Sequence, residues 1–421
     1  MIYNLLLRTY NAVFYIIAIF SLLLLFGKFK EKTRQRLLLN KIPKNNDKYI
    51  WLHGASVGEV LSAESLINSL LNKYPFIKII ITSHTKTSKN IVVNKFDNNR
   101  VIHRYLPYDC GILVKKFLKR YNPITVLWLE QDFFPIFLAN IHKRKIPLLL
   151  LNARISDKSF LKWKKLKFII SKILNYFDVI YPMSLNNKKK LDKLSGKDNK
   201  FIGNLKYTNI TSKEIIANKF ASEITILQKY LGNSLVLTAL STHRSEELLI
   251  AKIHYKLKEA GINLKTVIIP RHIERMDLIL KDFAKNNFKA SLFSQLKEEV
   301  DIVLVDSMGK TGMFCLQADI TFIGKSLYLK GGHNLLEPLS VGTPVIFGKN
   351  MGNFKDIVLD TLQNQAGIKV KTEKDLYEEL LEIFNNPQKL QQLKNNTDFV
   401  QKNNQDILKN FMGEISCRLK I

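Results

Sequence analysis

The stretch FIGKSLYLKGGHNLLEPLSVGTPVIFG, residues 322–348, places a glycine-rich turn between two short apolar runs. Gly331 and Gly332 permit a tight backbone path, and the residues after them read as a helix start carrying His333, Asn334 and Glu337. Such a start offers unpaired backbone N–H groups to a phosphate, and a carboxylate one turn on can hydrogen-bond ribose hydroxyls. An ordinary capped helix followed by a Gly-Thr-Pro turn is the competing reading. The run lacks the G-x-x-x-x-G-K-[ST] order and the G-x-G-x-x-G fingerprint, which disfavours ATPase and dehydrogenase chemistry.

Working outward, short β-rich runs alternate with longer amphipathic stretches, the pattern of repeated βα units around parallel sheets. Strands are expected at 49–53, 77–82, 124–129, 147–151 and 178–181, with a helix over 59–72. A second series follows at 234–239, 265–269, 301–305, 319–323 and 344–347. Between the two series, SGKDNKFIGNLKYTNITS (195–212) is rich in turn formers. The expectation is an α/β chain of two Rossmann-like domains facing a central cleft. The domain scheme is an N-terminal anchor and basic flank (1–36), a first domain (37–202), a hinge (203–220), a second domain (221–400) and a C-terminal helical segment (401–421).

A chain of 421 residues fits two such domains, and 46% hydrophobic with 10% aromatic residues supports folded cores. Lys and Arg outnumber Asp and Glu by 65 to 36, a net charge of +29, which favours an anionic partner without choosing among phosphate ligands, nucleic acid and acidic lipid. Cys110, Cys315 and Cys417 are too scattered for a disulfide framework or a CxxC site, which fits a reducing cytosol. His84 and His103 lack metal-ligand spacing, and no bound metal is expected.

Residues 10–26, YNAVFYIIAIFSLLLLF, carry no charge and with Gly27 approach the ~20 residues that cross a bilayer. Lys28, Lys30, Lys32, Arg34 and Arg36 follow against the single acid Glu31, a flank that stays cytoplasmic. An uncleaved anchor is favoured over a signal peptide, because the charge follows the apolar run and no small-residue cleavage site does. A helix lying in the membrane interface is the third option, since the run is short and contains Tyr10, Asn11 and Tyr15.

Four further elements place reactive side chains at strand ends. In WLHGASVGEVLSAESLI (51–67) Glu59 opens a helix at the edge where open α/β sheets bind ligands, or merely complements the helix dipole there. In VLWLEQDFFP (126–135) Glu130 and Asp132 end an apolar strand; paired carboxylates can divide acid and base roles, whereas Asp132 is equally explained as the cap of a helix that Pro135 helps start. TALSTHRSEE (238–247) and VIIPRHIER (267–275) put Arg and His after strands, with Ser241 or Thr242 available as a cap and Arg271 able to reach an anion.

Taken in order, HGASVGE (53–59), LPYD (106–109), NARIS (152–156), GNLKY (203–207), STHRSEE (241–247), PRHIER (270–275), DSMG (306–309), GGHNLLEP (331–338) and GKNMGNFKD (348–356) resemble the 3-deoxy-D-manno-octulosonic acid (Kdo) transferase family of lipopolysaccharide biosynthesis. The resemblance implies a GT-B fold, CMP-Kdo as donor with no other cofactor, a lipid A precursor (lipid IVA) as acceptor, and inversion without a metal. It further implies Glu59 as base, Glu130 and Lys206 in transition-state stabilisation, and CMP contacts at Pro270, Arg271, Met308, Gly309, Lys310 and Asn334, Leu335, Leu336 and Glu337. The implied location is the cytoplasmic side of the inner membrane, with its lipid surface as a partner and no nucleic acid. Two departures stand out: Lys310 replaces the family's usual Glu, and Glu130-Gln131-Asp132-Phe133-Phe134-Pro135-Ile136 replaces Glu-Thr-Glu-x-Trp-Pro-Asn. A related transferase using another activated sugar and a non-catalytic basic protein of the membrane surface are the alternatives.

Overall fold

The computed structural model describes residues 2–26, 30–40 and 47–419, so Gly27 and Lys28 of the apolar run and its flank lie outside the described residues. The chain forms two compact units. One comprises residues up to Asn209 together with those from Asn404 onward, and the other is Ile210–Asn403.

The first unit is built on a six-stranded sheet of β1 (Lys48–His53), β2 (Ile77–Ser83), β3 (Val101–Tyr105), β4 (Pro123–Leu129), β5 (Leu148–Ala153) and β6 (Val179–Pro182), ordered β3-β2-β1-β4-β5-β6. Every pairing is parallel. Helices cover both faces, which is why IKIIITS and LLLLNA are nearly continuous apolar runs rather than alternating ones. Trp51 and Trp128, both fully buried, anchor the core with Phe117 and Phe137, their ring centroids 4.8–5.5 Å from that of Trp51. The expected helix over 59–72 is two helices, Val57–Ser62 and Glu64–Lys73, broken at Ala63. Ser62 Oγ donates to the carbonyl of Glu59, a back-bond that competes with the helical ladder at the break.

The second unit carries seven parallel strands: β7 (Leu235–Thr242), β8 (Leu264–Pro270), β9 (Ser291–Leu292), β10 (Ile302–Leu304), β11 (Ile320–Ile323), β12 (Val345–Phe347) and β13 (Gly367–Lys369), ordered β13-β12-β11-β7-β8-β10-β9. In both sheets the strand order reverses beside the first strand, between β1 and β4 and between β7 and β11. Those reversals are where open α/β sheets form ligand crevices.

The last long helix, Phe399–Ser416, starts in the second unit and ends in the first. There Tyr181 Oη donates to Glu414 at 2.6 Å, Lys200 and Arg418 pair with the same carboxylate, and Phe411 packs on Tyr181. Burial pulls the Glu414 carboxyl up, but these three donors hold it at about 2.

The N-terminal helix Ile2–Phe20 lies along the first unit. Tyr3, Leu7, Tyr10, Phe14 and Ala18, three or four residues apart, form its docked face together with Tyr15. Its polar residues cap a neighbouring helix, with Gly111 N donating to Asn11 Oδ1 at 2.8 Å and Ile112 N to Tyr15 Oη at 3.1 Å. The opposite face exposes Ile2, Leu5, Leu6, Val13, Ile16, Ile17, Ile19 and Phe20. Part of the basic flank turns inward as well: Arg36 donates to the carbonyl of Leu106 and its guanidinium stacks 3.9 Å from the Tyr108 ring centroid.

Asp109, from LPYD, joins these elements. Its carboxylate accepts from Ile136 N (3.1 Å) and Phe137 N (2.8 Å) at the start of helix Pro135–Lys143 and from Tyr10 of the N-terminal helix. Burial pushes this carboxyl up to about 7 against those three donors. Asp109→Ala strands both helix N–H groups in the core, and chemical denaturation is expected to show a loss of about 1–2 kcal/mol, with Asp109→Asn losing less because one acceptor oxygen remains.

Candidate active site

In the first unit the reversal edge gathers three residues singled out by sequence. Glu59 sits in the first turn of helix Val57–Ser62, where Ser56 is the N-cap. Glu59 N donates to Ser56 Oγ, Ser56 Oγ donates to Glu59 Oε1 at 2.9 Å, and Ala55 N donates to Glu59 Oε2 at 2.7 Å. This reciprocal cap fixes the carboxylate's orientation. Desolvation raises its pKa to about 7, helped by the charges of Glu130 and Asp132 and opposed by the Ala55 and Ser56 bonds. The carboxylate therefore has a structural role in the helix start and an ionisation poised near neutrality.

Glu130 follows β4 directly, with a left-handed φ of 60° and its N–H donated to Leu151 O of β5. A non-glycine residue held there carries local strain, a recurrent property of functional positions. Asp132 does not cap the next helix: Phe134 is the N-cap without a side-chain bond, and Asp109 serves those N–H groups instead. Desolvation raises the Asp132 carboxyl, and its backbone carbonyl accepts from Trp128 Nε1. Lys206 lies on the short 3-10 helix Leu205–Thr208, which packs on helix Val57–Ser62. That turn is tied to the sheet by Leu205 N donating to Oδ1 of Asn152, a buried β5 residue with φ 55°. Glu130, Asp132 and Arg154 stand at a cavity of about 270 Å³ walled on its apolar side by Phe133, Trp163 and Ile170.

In the second unit the loops after β7 and β11 meet at the reversal. Gly324 is required there, since a Cβ would lie 2.3 Å from Ser241 O. The buried Glu246 joins both loops by accepting from His243 N (3.0 Å) and Lys325 N (2.8 Å). Ser241 and Thr242 do not cap the helix Glu246–Glu259; Ser245 is its N-cap without a side-chain bond, and Thr242 Oγ1 donates instead to Glu247, which also pairs with Arg275. Across the loops His243 Nε2 meets His333 Nε2 at 2.9 Å with the rings nearly parallel. Burial, then neighbouring charges including Lys325, His272 and Arg271, pushes His243 down, and His333 falls to about 4. At neutral pH the two form a neutral hydrogen-bonded couple inside a cationic surround. Sequence reading had marked His333 but not its pairing with His243, 90 residues away.

The remaining marked positions sort by accessibility. Pro270 ends β8, and the exposed Arg271 follows with its N–H on Thr242 O. Met308 is exposed and Gly309 has φ 80°. Lys310 pairs with Glu223 at 3.5 Å and lies over the Phe293 ring, so its side chain is engaged within its own unit. Leu335 and Leu336 are core residues, which leaves only their backbone for a ligand. The helix expected after Gly331 and Gly332 is a five-residue segment, Leu336–Ser340, whose first N–H already bonds Asn334 Oδ1. Its dipole is correspondingly small, so this helix start offers less to an anion than its sequence suggests. Burial raises the Glu337 carboxyl.

Residues 31–209 match the family described as 3-deoxy-D-manno-octulosonic-acid transferase (kdotransferase), and residues 250–398 match glycosyl transferases group 1. The 3-deoxy-D-manno-octulosonic acid transferase of Rickettsia felis is 36% identical over 87% of this chain and 78% of its own length. The enzyme of that description from Haemophilus influenzae is 31% identical over 80% of this chain and 79% of its own. A glycosyltransferase structure from Rickettsia africae shares the fold, with a TM-score of 0.60, 13% identity and coverage of 89% of this chain and 100% of that one. With its two parallel α/β domains of GT-B type, the chain is a glycosyltransferase and belongs to the 3-deoxy-D-manno-octulosonic acid transferase family.

Proposed function

We propose that the protein transfers Kdo from CMP-Kdo to a hydroxyl of a lipid A precursor, with inversion at the anomeric carbon. The observation that carries this reading is Glu59: a carboxylate fixed by its own helix cap at the sheet edge, beside Glu130 and Asp132, with its pKa raised to about 7. A sugar hydroxyl is a weak nucleophile, and a base poised near the working pH is the group its attack requires. The acceptor oxygen forms the new bond to the anomeric carbon as its proton passes to Glu59. The bond from that carbon to the phosphate oxygen breaks, and CMP leaves with the electron pair. Glu130 offsets the cationic character that develops on the sugar, and either Lys206 or Arg271 meets the charge gathering on phosphate. Pro270, Met308, Gly309, Asn334 and Glu337 hold the nucleotide, the reading needs no cofactor besides the donor, and it gives the phosphate charge to side chains rather than a metal.

The same reading places the enzyme at the cytoplasmic face of the inner membrane, with the N-terminal helix in the interface plane. The apolar stretch Ile2–Leu23 is long enough to span. Its docked face, however, runs from Tyr3 to Ala18, so a transverse pose would draw the unit's polar surface into hydrocarbon. Lying flat, the helix buries Leu5, Ile16 and Phe20 in lipid and leaves its docked face in place. A second reading, transfer of another activated sugar, is favoured by Lys310 at a position where the family usually carries Glu. A donor panel separates the two.

Incubation with CMP-Kdo and a detergent-dispersed lipid A precursor, followed by mass spectrometry, is expected to yield a Kdo-bearing lipid; no product from the unaltered protein defeats the proposal. Glu59→Gln is expected to lower kcat by about 10²–10⁴, and full activity in that variant defeats the base assignment. The base must be ionised, so kcat/KM should rise with pH through about 7. Glu130→Gln removes a like charge and should move that limb to lower pH while also reducing the rate. A limb that stays in place would show that Glu130 does not act on Glu59.

A further inference from the structure

In the second unit a pocket of about 490 Å³ lies between the loop after β12 and the helix Lys355–Gln363. Its loop is the motif GKNMGNFKD (348–356), which the transfer reading leaves without a role. Two kinds of side chain line it. Met351, Val358, Leu359 and Leu362 are apolar, and Leu359 is 54% exposed. Lys330, Lys349, Lys355 and Lys369 are all exposed, and no acidic residue shares the lining with them. Among the described residues the ion-paired lysines of this unit are Lys258, Lys265, Lys310, Lys374, Lys389 and Lys394, none of which is one of these four. Four like charges around one opening repel each other, and an anion placed among them relieves that repulsion.

The pocket wall is preformed. Asn350 N donates to Ser326 O at 2.8 Å, Gly331 N to Asn350 O at 2.9 Å, and Asn353 N to Gly331 O at 3.1 Å. Gly332 lets Met351 close in, since a Cβ there would lie 2.2 Å from its Sδ. A ligand therefore meets a fixed surface and does not have to order a loop. We infer that this pocket binds a single-chain alkyl or acyl phosphate, with the chain on Met351, Leu359 and Leu362 and the phosphate among the lysines. Charge and lining select that class. A nucleobase or ribose needs side-chain acceptors, and the one side-chain amide here, on Asn350, already donates to Leu327 O. No aromatic ring lines the pocket to stack a base. The volume suits one alkyl chain and is too small for the pair on a diacyl lipid. A phosphate monoester, close to doubly charged at neutral pH, uses four lysines better than a carboxylate does.

The test uses the full chain and alkyl phosphates below their micelle-forming concentrations. Calorimetry is expected to show affinity rising roughly tenfold for each two methylenes from octyl to dodecyl phosphate. Dodecylphosphocholine, whose headgroup has no net charge, and Lys349→Gln combined with Lys355→Gln are each expected to cost about tenfold. Leu359→Glu should also cost roughly tenfold or more. These three positions are exposed, so an unchanged thermal transition separates lost binding from lost folding. The exposed face of the N-terminal helix also attracts alkyl chains, so a dodecyl phosphate bearing a diazirine locates the site, with crosslinks expected within residues 349–362. Unchanged affinity in Leu359→Glu, equal affinity for dodecylphosphocholine, or crosslinks confined to other segments overturns the inference. Neither donor nor acceptor enters this experiment, so failure of the pocket and failure of the transferase reading are distinguishable.

Discussion

At both sheet edges the loops are held by side-chain oxygens that accept backbone N–H groups. A loop leaving a buried parallel strand has no ladder partner for its amides, and leaving them unpaired costs about 1–3 kcal/mol each. Glu246 takes the amides of His243 and Lys325, Asp109 those of Ile136 and Phe137, Asn152 that of Leu205, and Glu59 that of Ala55. Each bond also positions a part of the candidate site: the histidine couple, the helix after Glu130, the turn carrying Lys206, or Glu59 itself. Desolvation raises the carboxyls of Glu246, Asp109 and Glu59 despite these donors, so rigid loops and perturbed acids have one physical origin.

That origin explains what could be read from sequence. Strands covered on both faces are continuous apolar runs, and the central strands of both sheets were legible for that reason. The strands that escaped, β3, β9 and β13, are edge strands. β3 alternates as VIHRY, and β9 and β13 are two and three residues long, so neither length nor hydrophobicity marks them. Glu59 and Glu130 were legible because they stand at the ends of strands that are. The His243–His333 couple was not, because only the β7–β11 pairing brings two loops 90 residues apart together. The return of the last helix to the first unit left no mark either, since its anchor is a tertiary bond between Tyr181 and Glu414.

Caps were the weakest inference from spacing. A residue of suitable chemistry just before a helix is a candidate cap, and Asp132 and either Ser241 or Thr242 are open to that reading. In each case the amides are served from elsewhere or by a different geometry. Asp109 reaches helix Pro135–Lys143 from 26 residues upstream of its first residue, and Glu246 reaches back from inside its own helix to His243. Proximity in sequence is a poor guide when a parallel sheet places several loop ends side by side. The Asp132 carboxylate, relieved of capping, remains near Glu59 and contributes to its raised pKa.

The N-terminal helix shows how such a bond bears on the membrane. Asn11 and Tyr15, the residues that make the apolar run an imperfect span, are the acceptors for Gly111 and Ile112 at the start of helix Gly111–Tyr121. Lifting the helix into a transverse pose would expose those two amides and strip Tyr3, Phe14 and Ala18 from their neighbours. The polar residues that weaken the helix as a span are thus the ones that tie it to the domain. On the proposed in-plane pose, the side of the first unit that bears the helix is fixed against the bilayer. On that same proposal, part of the excess positive charge would face the lipid surface rather than act only in bulk.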